Sequence, residues 1–175
     1  MLDKFGRPSW DDYFMTLAIL ASIRSLDPRT KCGCVIVDNH HRVLTIGYNG
    51  PLRGINDDLV SLSSPEKYYE MEHAERNAIY SYSGSLEGAT AYVTGVPCYD
   101  CLRALIQKGI TRIVWGPIKS VMCDGQNDEA KRQQMAISKM LKYSPSISYE
   151  EYDGNIWEIF DCVEKYLGTK NIIRS

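Results

Sequence analysis

Two short segments hold the residues whose types and spacing could do chemistry: His73-Ala74-Glu75 and Pro97-Cys98-Tyr99-Asp100-Cys101. Zn2+ prefers tetrahedral nitrogen and sulfur ligation, and a catalytic site supplies three protein ligands while leaving one position for water. His73, Cys98 and Cys101 make up that set. A Cys-x-x-Cys at a helix start brings both sulfurs near the backbone N–H groups of the first turn, which favours thiolates. Pro97 suits the position just before it, because its ring fixes φ and it needs no N–H partner. Two thiolates and a neutral imidazole cancel the charge of the ion and weaken it as a Lewis acid; the positive ends of two helices would partly restore that acidity. Glu75, two residues past His73, points away from a shared ligand position and can face the open one. A carboxylate there takes a proton from water and later delivers it to a ring nitrogen and a leaving amine.

Two plainer readings compete. A redox Cys-x-x-Cys pair explains neither His73 nor Glu75. A structural zinc site joining Cys32 and Cys34 to Cys98 and Cys101 requires Cys-x-Cys spacing, which suits a zinc knuckle poorly. Residues i and i+2 share one face of a strand, where small buried thiols are ordinary. Cys123 and Cys162 lack partner spacing and read as plain thiols, while His40 and His41 fall in a turn and read as surface histidines.

The elements that must position these groups fit one domain, expected to span residues 1–175. Folding at that size buries roughly 70% of the unfolded surface, so the core needs no disulfides. The chain has 20 Lys plus Arg against 22 Asp plus Glu. That balance argues against long nucleic acid as a partner, since such proteins carry a basic excess, and leaves a single nucleotide open. No apolar run approaches the ~18 residues of a membrane span, and the polar start has no signal-peptide layout. Six cysteines in such a chain read as thiols or ligands in a reducing cytoplasm.

Ser9 and Asp12 form a capping-box pattern ahead of a helix over 10–24. Asp27-Pro28 ends it, because a residue before proline is pushed out of the helical region. A hairpin follows, with strands at 34–38 and 43–48. Residues 49–64 carry turn chemistry and no period, hence a loop. A helix over 65–82, interrupted near Glu72, leads into strand 89–94, helix 98–108, strand 110–115, helix 128–142, strand 147–152 and helix 156–167. A hairpin followed by this alternation implies an α/β fold, with a central mixed sheet of about five strands and helices on both faces.

With these segments in view the chain resembles the cytidine and deoxycytidylate deaminase superfamily, most closely the deoxycytidylate (dCMP) branch, from about Trp10 to Leu167. His73-Ala74-Glu75-Arg-Asn77-Ala78-Ile79 with Pro97-Cys98-x-x-Cys101 carries the superfamily part, and His-x-Glu…Pro-Cys-x-x-Cys is a known zinc deaminase pattern. Arg24-Ser25-Leu-Asp27-Pro28, Gly47-Tyr48-Asn49-Gly50 and Asp128-Glu129-Ala130 are similar to the dCMP branch. The resemblance implies a three-layer αβα fold and hydrolysis of dCMP to dUMP and ammonia, in pyrimidine nucleotide biosynthesis. A zinc-activated water attacks C4 and Glu75 moves the protons. It further implies that the Ala74 backbone N–H and Glu75 hold the pyrimidine edge, Asn49 meets the deoxyribose or phosphate, and Arg24 pairs with the 5′-phosphate. It also implies a homohexamer activated by dCTP and inhibited by dTTP, with Mg2+ on the triphosphate; Gly50, Arg53 and Gly54 are candidates for that second site. Arginine's planar fork suits phosphate.

Several departures stand out. Lys31-Cys32-Gly33-Cys34 replaces the usual Gln-Val-Gly-Ala, Glu72 stands where relatives often have cysteine, and 116–127 is long and lacks the tyrosine that approaches the substrate phosphate. The histidines of a second, structural zinc are missing, so none is expected. The competing functions are deamination of free cytidine, deoxycytidine or another nucleobase, and a non-catalytic zinc-stabilised nucleotide-binding protein. Arg24 as a helix C-terminal complement and Tyr48-Asn49-Gly50 as a plain turn are the simpler readings of the branch motifs.

Overall fold

The first helix, α1 (Trp10–Ser22), starts where its capping box puts it. In the computed structural model, which describes residues 2–63, 65–118 and 128–169, Ser9 Oγ accepts the Asp12 N–H at 3.0 Å and donates to the Asp12 carboxylate at 2.7 Å. The helix ends at Ser22, short of the expected 24, and the backbone continues in single turns, with Arg24 N donating to Ala21 O and Ser25 N to Ser22 O. Arg24 therefore stands outside the helix.

Strands β1 (Gly33–Val37) and β2 (Val43–Tyr48) form the expected hairpin, and β5 (Thr90–Val93), β6 (Arg112–Trp115) and β7 (Ser148–Glu151) complete a five-stranded sheet. The order is β2-β1-β5-β6-β7, antiparallel up to β5 and parallel beyond it. Parallel neighbours need a crossover element, supplied here by α4 (Tyr99–Gln107) and α5 (Asp128–Tyr143). Right-handed connections that step in one direction put both helices on one face. They lie there with α3 (Ala74–Tyr80), closing a core of Cys34, Ile36, Ala78, Val93, Leu102 and Ile113. On the other face α1 packs Phe14, Met15 and Ala18 against Val35, Tyr92 and Val114, and Ile156, just before α6 (Trp157–Thr169), joins them. Alternate β1 residues feed the two cores, so this is the mixed-sheet αβα sandwich read from the sequence.

Two local features differ from expectation. The segment 65–82 is not one helix: α2 (Lys67–Glu70) gives way to β4 (Met71–Glu72), which pairs antiparallel with β3 (Gly50–Pro51) before α3 begins. The loop 49–64 thus contains a strand, and also a 3-10 turn at Asp57–Leu59. A two-residue ladder has no periodicity to detect, and its partner lies some twenty positions away. Cys123 and the stretch 119–127 lie outside the described residues.

Candidate active site

Zinc-type ligands meet at two helix starts. His73 is the N-cap of α3, and Cys98 is the N-cap of α4, its sulfur accepting the Cys101 N–H at 3.5 Å. The His73 Nδ1 lies 3.6 Å from Cys98 Sγ and 3.4 Å from Cys101 Sγ. Each residue's candidate ligand atom is within 4.8 Å of the others, and these three alone form such a group among the described residues. An imidazole nitrogen and two sulfurs at this spacing suit a tetrahedral d10 ion, so the donor set fits zinc. Cys32 and Cys34 do not join it; Cys34 is buried in the core among Ala74, Ala78 and Val93, which disposes of the four-cysteine alternative.

The sheet fixes where α3 lies. A Cβ on Gly47 would come within 2.3 Å of Ala74 O and 2.4 Å of Ala78 N, so only glycine lets β2 approach the helix this closely. Thr45 Oγ1 donates to Ala78 O at 2.9 Å and Asn77 Nδ2 to Tyr48 O at 2.8 Å, clamping the same pair of elements. α3 therefore presents His73 and Glu75 at a fixed height above β2.

The electrostatics follow from packing. Glu75 is buried, and burial raises its pKa above the ordinary carboxylate value, against the pull of the His73 charge. Cys98 is drawn down to about 4, chiefly by a hydrogen bond from the Cys101 thiol and then by His73, against burial. Cys101 goes up in return, as the partner that keeps its proton, and burial adds to the rise. The hydrogen bond with Cys98 raises His73 against its own burial. One thiolate beside a raised imidazole and a raised carboxyl is a site poised to exchange protons for a cation.

Other expected residues are spread more widely. Ala74 follows His73 as the first helical residue, so its N–H has no acceptor inside the helix. Asn49 is tied on both sides of its amide: Oδ1 accepts the Cys32 N–H at 2.7 Å and Nδ2 donates to Thr30 O at 2.9 Å. Arg24 does not border the metal ligands. It lines a separate cavity of about 290 Å3 with Gly50, Arg53 and Gly54, the other wall including Asn77. His73, Glu75, Cys98 and Cys101 do not border that cavity.

Sequence reasoning missed two contributors. The Glu72 carboxylate accepts the His73 N–H at 2.9 Å and the Arg76 Nε–H at 2.6 Å. Its charge is thus paired, and the i, i+4 spacing of Glu72 and Arg76 on one chain was the available signal. The other is a buried Lys67–Asp27 ion pair at 2.6 Å, which has no local signature.

Residues 8–117 match the family model described as the cytidine and deoxycytidylate deaminase zinc-binding region. The chain belongs to this deaminase family. A probable deoxycytidylate deaminase of Drosophila melanogaster is 39% identical over 118 residues, covering 61% of this chain and 58% of that protein. Human deoxycytidylate deaminase is 34% identical over 113 residues, with 61% and 64% covered. The enzyme of Mycobacterium phage D29 is 37% identical over 124 residues, with 63% of this chain and 96% of that one covered. This deaminase-family chain thus spans about three fifths of the length of the fly and human relatives it matches. In fold it is similar to dCMP deaminase from the cyanophage S-TIM5, solved in complex with dCMP and dUMP. The TM-score is 0.61 at 23% identity, over 83% of this chain and 98% of that one. Acinetobacter baumannii RibD shares the fold at a TM-score of 0.54 and 24% identity, over 91% of this chain and 38% of that one.

Proposed function

We propose that the protein hydrolyses dCMP to dUMP and ammonia. The observation that carries this reading is a buried carboxylate, Glu75, set beside a His/Cys/Cys donor group. A purely structural metal site needs no proton carrier, and burying a carboxylate is costly unless it works. The names of the fly, human and phage relatives and the nucleotides held by the cyanophage structure favour dCMP among the family's substrates.

His73, Cys98 and Cys101 would hold the zinc ion, which supplies Lewis acidity to activate water at the reacting carbon. Glu75 takes a proton from the attacking water and delivers it to pyrimidine N3; it then takes the remaining proton from the new C4 hydroxyl and passes it to the amino nitrogen, which leaves as ammonia as the C4 carbonyl forms. Its raised pKa suits a group that must both take and give a proton near neutrality. The free Ala74 N–H and Glu75 hold the pyrimidine edge. Asn49 contributes from the wall it braces, since Oδ1 and Nδ2 each keep one hydrogen-bonding valence for the sugar or phosphate. The family motif makes Arg24 a 5′-phosphate partner, and its place beside Arg53 favours an effector phosphate instead. dCTP as activator, dTTP as inhibitor and Mg2+ on the triphosphate fit that cavity, where Arg24 and Arg53 outnumber the one carboxylate, Asp57, in a homohexamer of the kind the family motif implies.

Ammonia release from dCMP, cytidine, deoxycytidine and dCTP tests the substrate. Turnover of dCMP ahead of the rest is expected, and faster turnover of the free nucleosides overturns it. Sigmoidal dCMP kinetics made hyperbolic by dCTP with Mg2+ are expected from a second site; Arg53→Ala abolishes that response. Kinetics indifferent to both triphosphates remove the regulatory reading and leave the chemistry standing.

A further inference from the structure

Helix α2 is a single turn with one buried side chain, and that side chain is Lys67; Tyr68 and Tyr69 are 64% and 79% exposed. So short a helix has no stability of its own, so its packing decides where it lies. Its anchor is a charge: Lys67 Nζ sits 2.6 Å from Asp27 Oδ2, with the two side chains 7% and 6% exposed. Buried ions recover their dehydration cost only with good geometry, and a well-packed apolar pair holds elements together at least as well. What an ion pair adds is direction.

That direction leads to the site from both ends. Asp27 Oδ1 accepts the N–H groups of Arg29 at 2.9 Å and Thr30 at 3.1 Å. The Thr30 carbonyl accepts Asn49 Nδ2, and Asn49 Oδ1 accepts the Cys32 N–H. Asn77, two residues past Glu75 on α3, donates to the carbonyl of Tyr48 beside Asn49 at 2.8 Å, which places this segment against the helix that carries the acid. At the other end α2 runs without interruption through β4 into His73, whose N–H is held by Glu72.

We infer that the Lys67–Asp27 pair is a strut that sets the wall carrying Asn49 at a fixed distance from the helix carrying His73 and Glu75. Nucleotide bound to that wall is thereby presented to the metal position. Lys67 and Asp27 are positioning residues, remote from the reacting atoms. The inference rests on the deaminase reading and adds to it the pair that aligns the two halves of the cleft.

The test compares wild type, Lys67→Met, and the double variant Lys67→Met with Asp27→Asn. The amide introduced by Asp27→Asn keeps an oxygen for the Arg29 and Thr30 N–H groups and removes the charge that Lys67→Met strands. The measurements are thermal melting, zinc content, dUMP affinity, and KM and kcat for dCMP. The single variant loses stability. The double variant recovers wild-type melting and zinc content, yet its KM for dCMP and its Kd for dUMP rise about tenfold, with kcat within about twofold of wild type. A double variant that matches wild type in KM and dUMP affinity, or that fails to fold or hold zinc, assigns the pair to folding stability alone and overturns the strut. Wild-type protein inert toward dCMP is the separate failure, that of the deaminase reading, and it shows before any variant is made.

Discussion

Gly47→Ala is a packing experiment on catalysis. The new methyl carbon starts 2.3 Å from Ala74 O, 2.4 Å from Ala78 N and 2.9 Å from Ala78 Cα, where ordinary contact begins at 3.4 Å. All three neighbours are backbone of α3, so no side-chain rotamer can relieve the clash. The helix must lift by about 1 Å. Overpacking of this kind costs about 1–3 kcal/mol. Lengthening the Thr45–Ala78 and Asn77–Tyr48 hydrogen bonds adds roughly 0.5–1.5 kcal/mol for each one lost. A displacement near 1 Å at the residues that carry His73 and Glu75 costs on the order of 100-fold in rate. Urea unfolding gives the stability term and dCMP turnover under saturating zinc gives the rate term. Gly88→Ala is the control, because that position has φ +73° with nothing within 4 Å of a Cβ. It should cost about 1 kcal/mol of backbone strain and leave kcat unchanged. A Gly47→Ala protein with wild-type stability and turnover would refute the claim that β2 sets the height of the catalytic helix.

Further outcomes follow from the charges at the site. Glu75→Gln should hold zinc and fold while losing about 100- to 10,000-fold in turnover; a variant with wild-type rates removes Glu75 from the chemistry. Because burial raises the Glu75 pKa above 4.5 in the fold, the zinc-stripped folded state binds a proton more tightly than the unfolded chain. Its stability is fully present below the unfolded pKa and falls as pH rises through the folded one. Stripped Glu75→Gln should therefore melt higher than stripped wild type at neutral pH, and equal melting curves would contradict the burial cost. Cys98, with its pKa near 4, is a thiolate at pH 6 in metal-free protein. Iodoacetamide should label it ahead of Cys32, whose pKa is pushed up to about 12, first by burial. Zinc should block the labelling, as mass spectrometry of the digest would show.

How much of this was legible in the sequence depends on the range of each interaction. Ser9 and Asp12 marked the start of α1 because a capping box is complete within four residues. His73, Glu75, Cys98 and Cys101 were legible by chemical type, since few other roles explain that combination. Strand and helix alternation gave the sheet because buried faces impose periods on the residues that form them. The break at Met71–Glu72 was legible only as an interruption. Its cause, pairing with Gly50 and Pro51, lies in another segment and spans too few residues to leave a pattern. Lys67 stands between Glu66 and Tyr68 in a stretch read only as the start of a helix over 65–82, and its burial is decided forty positions earlier by Asp27. Arg24 carried a family motif that named the 5′-phosphate; its place with Arg53 around a cavity that the metal-type ligands do not line depends on how the chain turns after Ser22, which a motif of five residues does not encode.

Glu72 shows why a departure from a family pattern has to be read with its neighbours. Alone, a carboxylate beside the Cys98 thiolate and Glu75 would add repulsion, about 4 kcal/mol for unit charges 4 Å apart at an effective dielectric of 20. Arg76 sits one helical turn on, 2.5 Å away at its Nη2, and supplies the opposite charge. The pair is neutral as a unit, so the cost of the extra negative charge largely disappears. What remains is mechanical. The same carboxylate holds the backbone N–H of His73, while β4 is fastened to β3 on one side and α3 is clamped to β2 on the other. His73 is thus located by its own helix, by the strand before it and by a charge-assisted bond across the junction. A cysteine at position 72 has too short a reach and too weak an acceptor to do this. Here a charged residue next to the metal ligands works as a brace, and the paired arginine is what lets that brace carry a charge without destabilising the site.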